Sequence, residues 1–309
     1  MSVAFETDHH PSRGSAIPDE LVHELRYVEI NTRRKIENMR VGAYVSPYRG
    51  VGFDFWEHRK YTIGDDVRRI DWNATARLGQ IVMKIDHADR ELRAVLAVDL
   101  SRSMEFTSGS LTKRETLLRV AGSLAFSAAS DHVHMGLLAF TDEVEVYFPP
   151  RSGRLQAWRI LEYLWSAKPK SRRTDLRVAV HTLEQRLRET TLVFLLSDFY
   201  QTDEAQLNAL SLLGHHHDVV PILIEDRLEG SLPEGRGWMR VRDLEAGAER
   251  VVDLSASNRR AYIEAAAARR SELIKTFYQM GADHVPIKVG EPYVDRLVQA
   301  FTARKRRQR

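Results

Sequence analysis

No cysteine occurs among the 309 residues, which excludes disulfides and thiol chemistry and agrees with a reducing compartment. No apolar stretch approaches the roughly 18 to 20 residues of a membrane-crossing helix. The N-terminus, with Glu6, Asp8, His9 and His10, lacks the basic-then-apolar order of a secretory signal. A cytoplasmic protein without a membrane span is expected. No G-x-x-x-x-G-K-[ST] run is present, so nucleotide hydrolysis would have to come from a partner. Nor is there a large charge of either sign. The formal net charge is +3, and Arg304, Lys305, Arg306, Arg307 and Arg309 alone supply five positive charges, so the body without them stands at −2. That tail reads as a solvated end able to touch a membrane surface peripherally. With no aromatic-basic platform, no nucleic-acid partner is expected.

What is present is a chain with 43% hydrophobic residues, ample for a core, organised around Ala94 to Met104. There an apolar run reads as a central parallel strand buried on both faces. It ends in Asp99, Ser101 and Ser103, where open α/β sheets place their ligands, beyond the carboxyl ends of the strands. These residues offer hard oxygen donors, which suit magnesium or calcium rather than zinc or copper. A helix cap is the competing reading, because Ser and Asp after a strand often accept the first free N–H groups of a helix.

Along the chain, residues 1–17 are expected to be disordered, and Pro18 opens an amphipathic helix with Leu21, Leu25, Val28, Ile36 and Met39 at helical spacing. Alternation at Val51, Phe53 and Phe55, and again at Ile81, Met83 and Ile85, predicts two strands of a small β-rich lobe, so 18–90 form helix plus lobe. Thr112-Lys113-Arg114-Glu115 reads as a capping box opening a helix to about Ser130. A helix from about Gly153 to Ala167 is expected to bury Leu155, Trp158, Leu161, Leu164 and Trp165. Further apolar strands at 191–196 and 219–224 alternate with helices, and Asp203 and Glu204 start one of these. Residues 91–303 thus predict a doubly wound, mostly parallel Rossmann-type sheet with an inserted hairpin near 238–254, followed by the basic tail 304–309. His215, His216 and His217 read as a solvated helix end.

Asp99-x-Ser101-x-Ser103 at a strand end resembles the D-x-S-x-S motif of von Willebrand factor A domains, and Gly136 to Asp142 is similar to their second strand. The resemblance implies a metal-ion-dependent adhesion site completed by Thr174 and Asp198, holding Mg2+, with Ca2+ or Mn2+ as alternatives. The run Arg59, Tyr61, Gly64, Asp65, Asp66, Arg68, Ile70, Asp71, Trp72, then Ala76-Arg77, resembles the family known as domain of unknown function 58. That family carries a von Willebrand A-like domain and is associated with MoxR-type AAA+ ATPases. The implied function is a non-enzymatic, chaperone-like adaptor that works with such an ATPase on a client protein in maturation or complex assembly. The Arg59 to Trp72 motif is either a docking surface or a structural loop. Paired charges and anchors at Tyr61 and Trp72 are expected, with Asp71 and Trp72 structural. The enzyme alternative is a magnesium-dependent phosphohydrolase of haloacid-dehalogenase type with Asp99 as nucleophile, but such enzymes want a carboxylate two residues on, where Ser101 stands.

Overall fold

The computed structural model describes residues 54–62, 65, 67–87, 92–245 and 247–307. The expected disordered terminus 1–17, the helix from Pro18, and Val51, Phe53, Gly64, Asp66 and Arg309 lie outside the described residues. The chain divides into two compact units, Gly42–Leu92 and a larger one containing Arg93–Arg309.

In the smaller unit, β1 (Asp54–Lys60) pairs antiparallel with β2 (Val82–His87), Asp54 opposite His87 and Lys60 opposite Val82. Between them the charged motif runs through a 3-10 turn at Val67–Arg69 into α1 (Trp72–Leu78). Arg59 sits in β1 opposite Met83, and the Tyr61 N–H donates to the Ile81 carbonyl. Asp65 and Asp71 each accept a backbone N–H, from Thr62 at 2.8 Å and Ala74 at 2.9 Å. Asp71, in extended conformation, is therefore the N-cap of α1. Arg68 is exposed. Trp72 is 65% exposed and is no anchor, because α1 turns inward on Ala74, its buried residue. Asp71→Ala should remove the cap at a cost of about 1 kcal/mol, while Asp71→Asn, which caps as well, should keep most of it. Equal damage from both variants in denaturant titrations would show that the charge matters more than the cap.

In the larger unit, four apolar runs form β3 (Arg93–Asp99), β4 (His134–Phe140), β6 (Leu192–Ser197) and β7 (Asp218–Glu225). With β5 (Val144–Arg151) and β10 (Val285–Lys288) they make a sheet of order β10-β7-β6-β3-β4-β5, parallel except for β5. Numbered within the sheet, this is the doubly wound 3-2-1-4-5-6 order, whose switch point lies between β3 and β6. On one face Val95, Ala97, Val193 and Leu195 pack against α4 (Leu176–Arg186), α5 (Glu204–His216) and Phe277 of α7 (Ala256–Gln279). The other face carries α2 (Lys113–Ser130) and α3 (Arg154–Ser166), joined by the edge-on contact of Phe126 with Trp158, and α8 (Val294–Arg307), whose Phe301 meets Phe194. The capping box is formed: Glu115 N–H donates to Thr112 Oγ1 at 3.0 Å and Thr112 N–H to Glu115 Oε2 at 2.7 Å. Asp203 caps α5 as expected.

Two side chains depart from the sequence reading. Leu155 is 85% exposed, whereas Gln156 is buried, donating from Nε2 to the Met135 and Pro149 carbonyls. The register between β4 and β5 shifts at Met135/Leu137, and an amide that reaches a carbonyl beside the irregularity outweighs the apolar gain of turning Leu155 inward. There β5 comes so close that a Cβ on Gly136 would sit 2.9 Å from the Phe148 carbonyl oxygen, which restricts the position to glycine. The three histidines diverge: Nδ1 of His215 faces the Ser211 carbonyl and that of His216 faces Glu184, but His217 is buried and its Nδ1 accepts from Thr191 N–H.

Candidate functional site at the switch point

The strand β3 ends with Asp99 fully buried, and Leu100 N–H is still held by the Phe140 carbonyl of β4. Asp99 Oδ1 accepts Ser101 N–H at 2.8 Å, a local turn that bends the chain sharply off the sheet. Ser101 then N-caps a 3-10 turn, Arg102–Glu105, without a side-chain capping bond; its hydroxyl instead lies 3.0 Å from that of Ser103. The second carboxylate oxygen of Asp99 accepts from Ser197 Oγ at 2.6 Å, and Thr174 Oγ1 lies 3.4 Å from it. Thr174 is delivered by the loop before α4, which is tied down through Arg102 N–H to the Arg172 carbonyl and Asp175 N–H to the Thr141 carbonyl.

Asp198 follows Ser197 at the end of β6. Its Oδ1 accepts Tyr200 N–H at 2.9 Å, and Phe199 between them is in the left-handed region at φ 52, a strained conformation for an aromatic residue. Asp198 Oδ2 is bound by the ammonium of Lys113, which also donates to Glu229 Oε1. Lys113 is 1% exposed at the first turn of α2. Glu229 comes from α6 (Arg227–Gly230), the short helix after β7. Asp226 at the start of that helix accepts Ser108 N–H, so the loops after β3 and β7 also meet. The last member is Glu245, from the turn joining β8 (Trp238–Arg242) to β9 (Glu249–Asp253). Its two carboxylate oxygens lie 3.2 Å from Thr174 N and 3.2 Å from Thr174 Oγ1.

Asp99, Ser101, Ser103, Thr174 and Asp198 thus stand together at the ends of β3 and β6. Lys113, Ser197, Glu229 and Glu245 join them, and the sequence reading assigned none of these to the site. Ser197 could have been found as the first half of the polar pair, Ser197-Asp198, that ends a buried strand. The other three carry no local signal.

Burial, and then the neighbouring Asp198 charge, push the Asp99 carboxyl above its ordinary range, against the Ser197 and Ser101 hydrogen bonds that pull it down. Burial likewise pushes Glu245 up to about 7, with Asp99 and Asp198 adding to the effect and the donations from Thr174 opposing it. Burial raises Glu229 despite Lys113. For Lys113 burial favours the neutral amine, but the charges of Asp198 and Glu229 outweigh it, and its affinity for the proton is raised. Lys113 therefore offsets Asp198 and Glu229, while Asp99 and Glu245 are held by hydroxyl and amide donors.

That charge distribution and the all-oxygen donor set fit a hard divalent cation. No cluster of three or more His, Cys, Asp or Glu side chains that could hold a metal occurs among the described residues, so the hydroxyls of Ser101, Ser103 and Thr174 would have to complete any coordination.

The sheet order and its single antiparallel edge strand define a doubly wound α/β domain of von Willebrand A-like fold. The chain belongs to the family described as Protein of unknown function DUF58, whose model matches residues 57–272. Uncharacterized protein Rv1480 of Mycobacterium tuberculosis is 28% identical over 302 residues, covering 96% of this chain and 95% of that protein. Among solved structures, an aerotolerance-related membrane protein of Bacteroides fragilis matches at a TM-score of 0.43 and 12% identity, over 70% of this chain and 99% of that one. A von Willebrand factor type A protein of Catenulispora acidiphila matches at a TM-score of 0.38 and 10% identity, over 72% of this chain and 43% of that one. These likenesses correct the cytoplasmic placement expected from the sequence, because a protein named for the membrane stands among them. No helix among the described residues is long and apolar enough to cross a membrane.

Proposed function

We propose that this chain is a non-enzymatic, divalent-cation-dependent protein-interaction domain. One observation carries the reading: the oxygens of Asp99, Ser101, Ser103, Thr174 and Asp198 gather at the switch point of the sheet, with more negative charge than Lys113 offsets. Asp99, the three hydroxyls and Asp198 would hold Mg2+, which supplies a hard electrophilic centre that an acidic side chain of another protein can join. By the family resemblance, that protein is a MoxR-type AAA+ ATPase acting on a client. The phosphohydrolase alternative is not favoured. Asp99 is fully buried with both oxygens engaged, and Ser101 stands where a second carboxylate is wanted.

The test is thermal. Magnesium at 100 times its Kd adds ~2.7 kcal/mol to the native state, which for a domain of this size raises Tm by roughly 5 to 11 °C. Asp99→Ala should abolish the rise. An equal rise in wild type and variant, or none in wild type at saturating magnesium, would refute the cation site. Retention of the ATPase on immobilised protein, lost on adding EDTA, is the result expected for the partner.

A further inference from the structure

The geometry points to Glu245 as a built-in ligand: the β8–β9 hairpin holds its own carboxylate where an acidic side chain of a partner docks, so partner binding must lift the hairpin. This rests on the interaction reading above and deepens it by naming what currently fills the docking position.

The recognising groups are those of Thr174. Its N–H and O–H face the two oxygens of one carboxylate, Glu245 Oε2 and Oε1, each at 3.2 Å. A paired donor of this kind selects a carboxylate by shape as well as by charge. The Thr174 hydroxyl has one proton and stands between Glu245 and Asp99 Oδ2, 3.4 Å from the latter, so the ligand at this position is linked to Asp99 through a single hydroxyl. An Asp or Glu side chain of another protein can make the same two contacts once Glu245 has left.

The hairpin is built to leave. It is a two-stranded sheet of its own, hydrogen-bonded within itself from Trp238/Asp253 to Arg242/Glu249 and separate from the six-stranded sheet. Two-stranded hairpins are marginally stable alone, and both strands here are largely exposed, with Trp238 and Val251 facing solvent. The segment entering β8 passes through Gly235 and Gly237 at φ 140 and 117, conformations open to glycine and costly for other residues. The tip, by contrast, is organised: Asp243 Oδ1 accepts Glu245 N–H at 2.9 Å and the Asp243 carbonyl accepts Gly247 N–H, presenting the Glu245 side chain toward Thr174.

The inference is tested on the full chain with magnesium present, using a fluorescein-labelled oligoglutamate peptide as probe and an oligoserine peptide as control. A site occupied by its own ligand nine times in ten binds an outside ligand about 10-fold more weakly than an open site. Glu245→Ala should therefore bind oligoglutamate about 10-fold more tightly than wild type, with Glu245→Gln intermediate. Amides of 238–253 should exchange faster in Glu245→Ala, and faster in wild type when the peptide is added. A purely structural role would loosen the hairpin without raising peptide affinity. Unchanged or weaker peptide binding in Glu245→Ala, while magnesium still raises Tm, overturns the built-in ligand and leaves the interaction reading standing. If magnesium raises Tm in neither protein, the interaction reading falls and takes this inference with it.

Discussion

Replacing Lys113 by Met is expected to cost ~3 to 5 kcal/mol, because two carboxylates lose the ammonium that neutralises them. The side chains of Asp198 and Glu229 are only 4% and 19% exposed, so water cannot take the place of the cation. In a domain of this size the loss corresponds to a fall in Tm of roughly 6 to 20 °C. The Met side chain fills much the same volume, which keeps the cavity contribution small. Combining Lys113→Met with Asp198→Asn and Glu229→Gln should recover most of the stability, since the stranded charges are then gone. The cost of the single variant should also shrink on acidification. Glu229 is already raised by burial, and a carboxylate that takes up a proton no longer needs a counter-ion. Denaturant titrations of the single and triple variants at two pH values decide the matter. A triple variant as unstable as Lys113→Met would mean that Lys113 acts through packing and not through charge.

Truncating Phe277 to Ala is expected to cost ~3 to 5 kcal/mol, by lost apolar burial together with the cavity left behind. Phe277 is the buried residue of the 24-residue helix α7, and it packs edge-on against Phe199 with ring centroids 5.3 Å apart. Phe199 follows Asp198 and is strained at φ 52, so this contact helps keep the turn after β6 in shape. Tyr278, the next residue, is exposed, and Tyr278→Ala should stay within about 0.5 kcal/mol of wild type. Hydrogen exchange should show α7 amides near 270–279 losing protection in Phe277→Ala and keeping it in Tyr278→Ala. Similar costs for the two variants would show that α7 is held by its exposed face instead.

The strands and helices of the larger unit were legible because their signals are local. Ala94 to Val98 and Leu192 to Leu196 are apolar runs long enough for strands and too short for helices. Thr112 and Glu115 are three residues apart in a pattern that closes on itself, and the hairpin around Gly247 lies between polar alternating segments. The placement of Asp99, Ser101 and Ser103 at the end of the central strand was legible for the same reason: a strand end carries its own position in the sequence, and the doubly wound order puts that end beside the switch point.

Other features needed partners far along the chain. Trp72 reads as an anchor by residue type, yet the capped helix it begins turns it to solvent. Leu155, expected inside, lies outside, and the neighbouring Gln156 is buried instead, where its amide serves carbonyls beside the register shift between β4 and β5. Most telling are the pairs around the switch point: Ser197 with Asp99 across 98 residues, Lys113 with Glu229 across 116, and Glu245 with Thr174 across 71. The sequence by itself determined the elements, their alternation and the polar end of the central strand, since each follows from the preferences of neighbouring residues. Only the tertiary structure decided that a lysine of a capping box becomes a buried counter-ion, and that a glutamate of a hairpin turn faces Thr174. Electrostatic pairing depends on distance in space, which residue spacing along the chain does not encode.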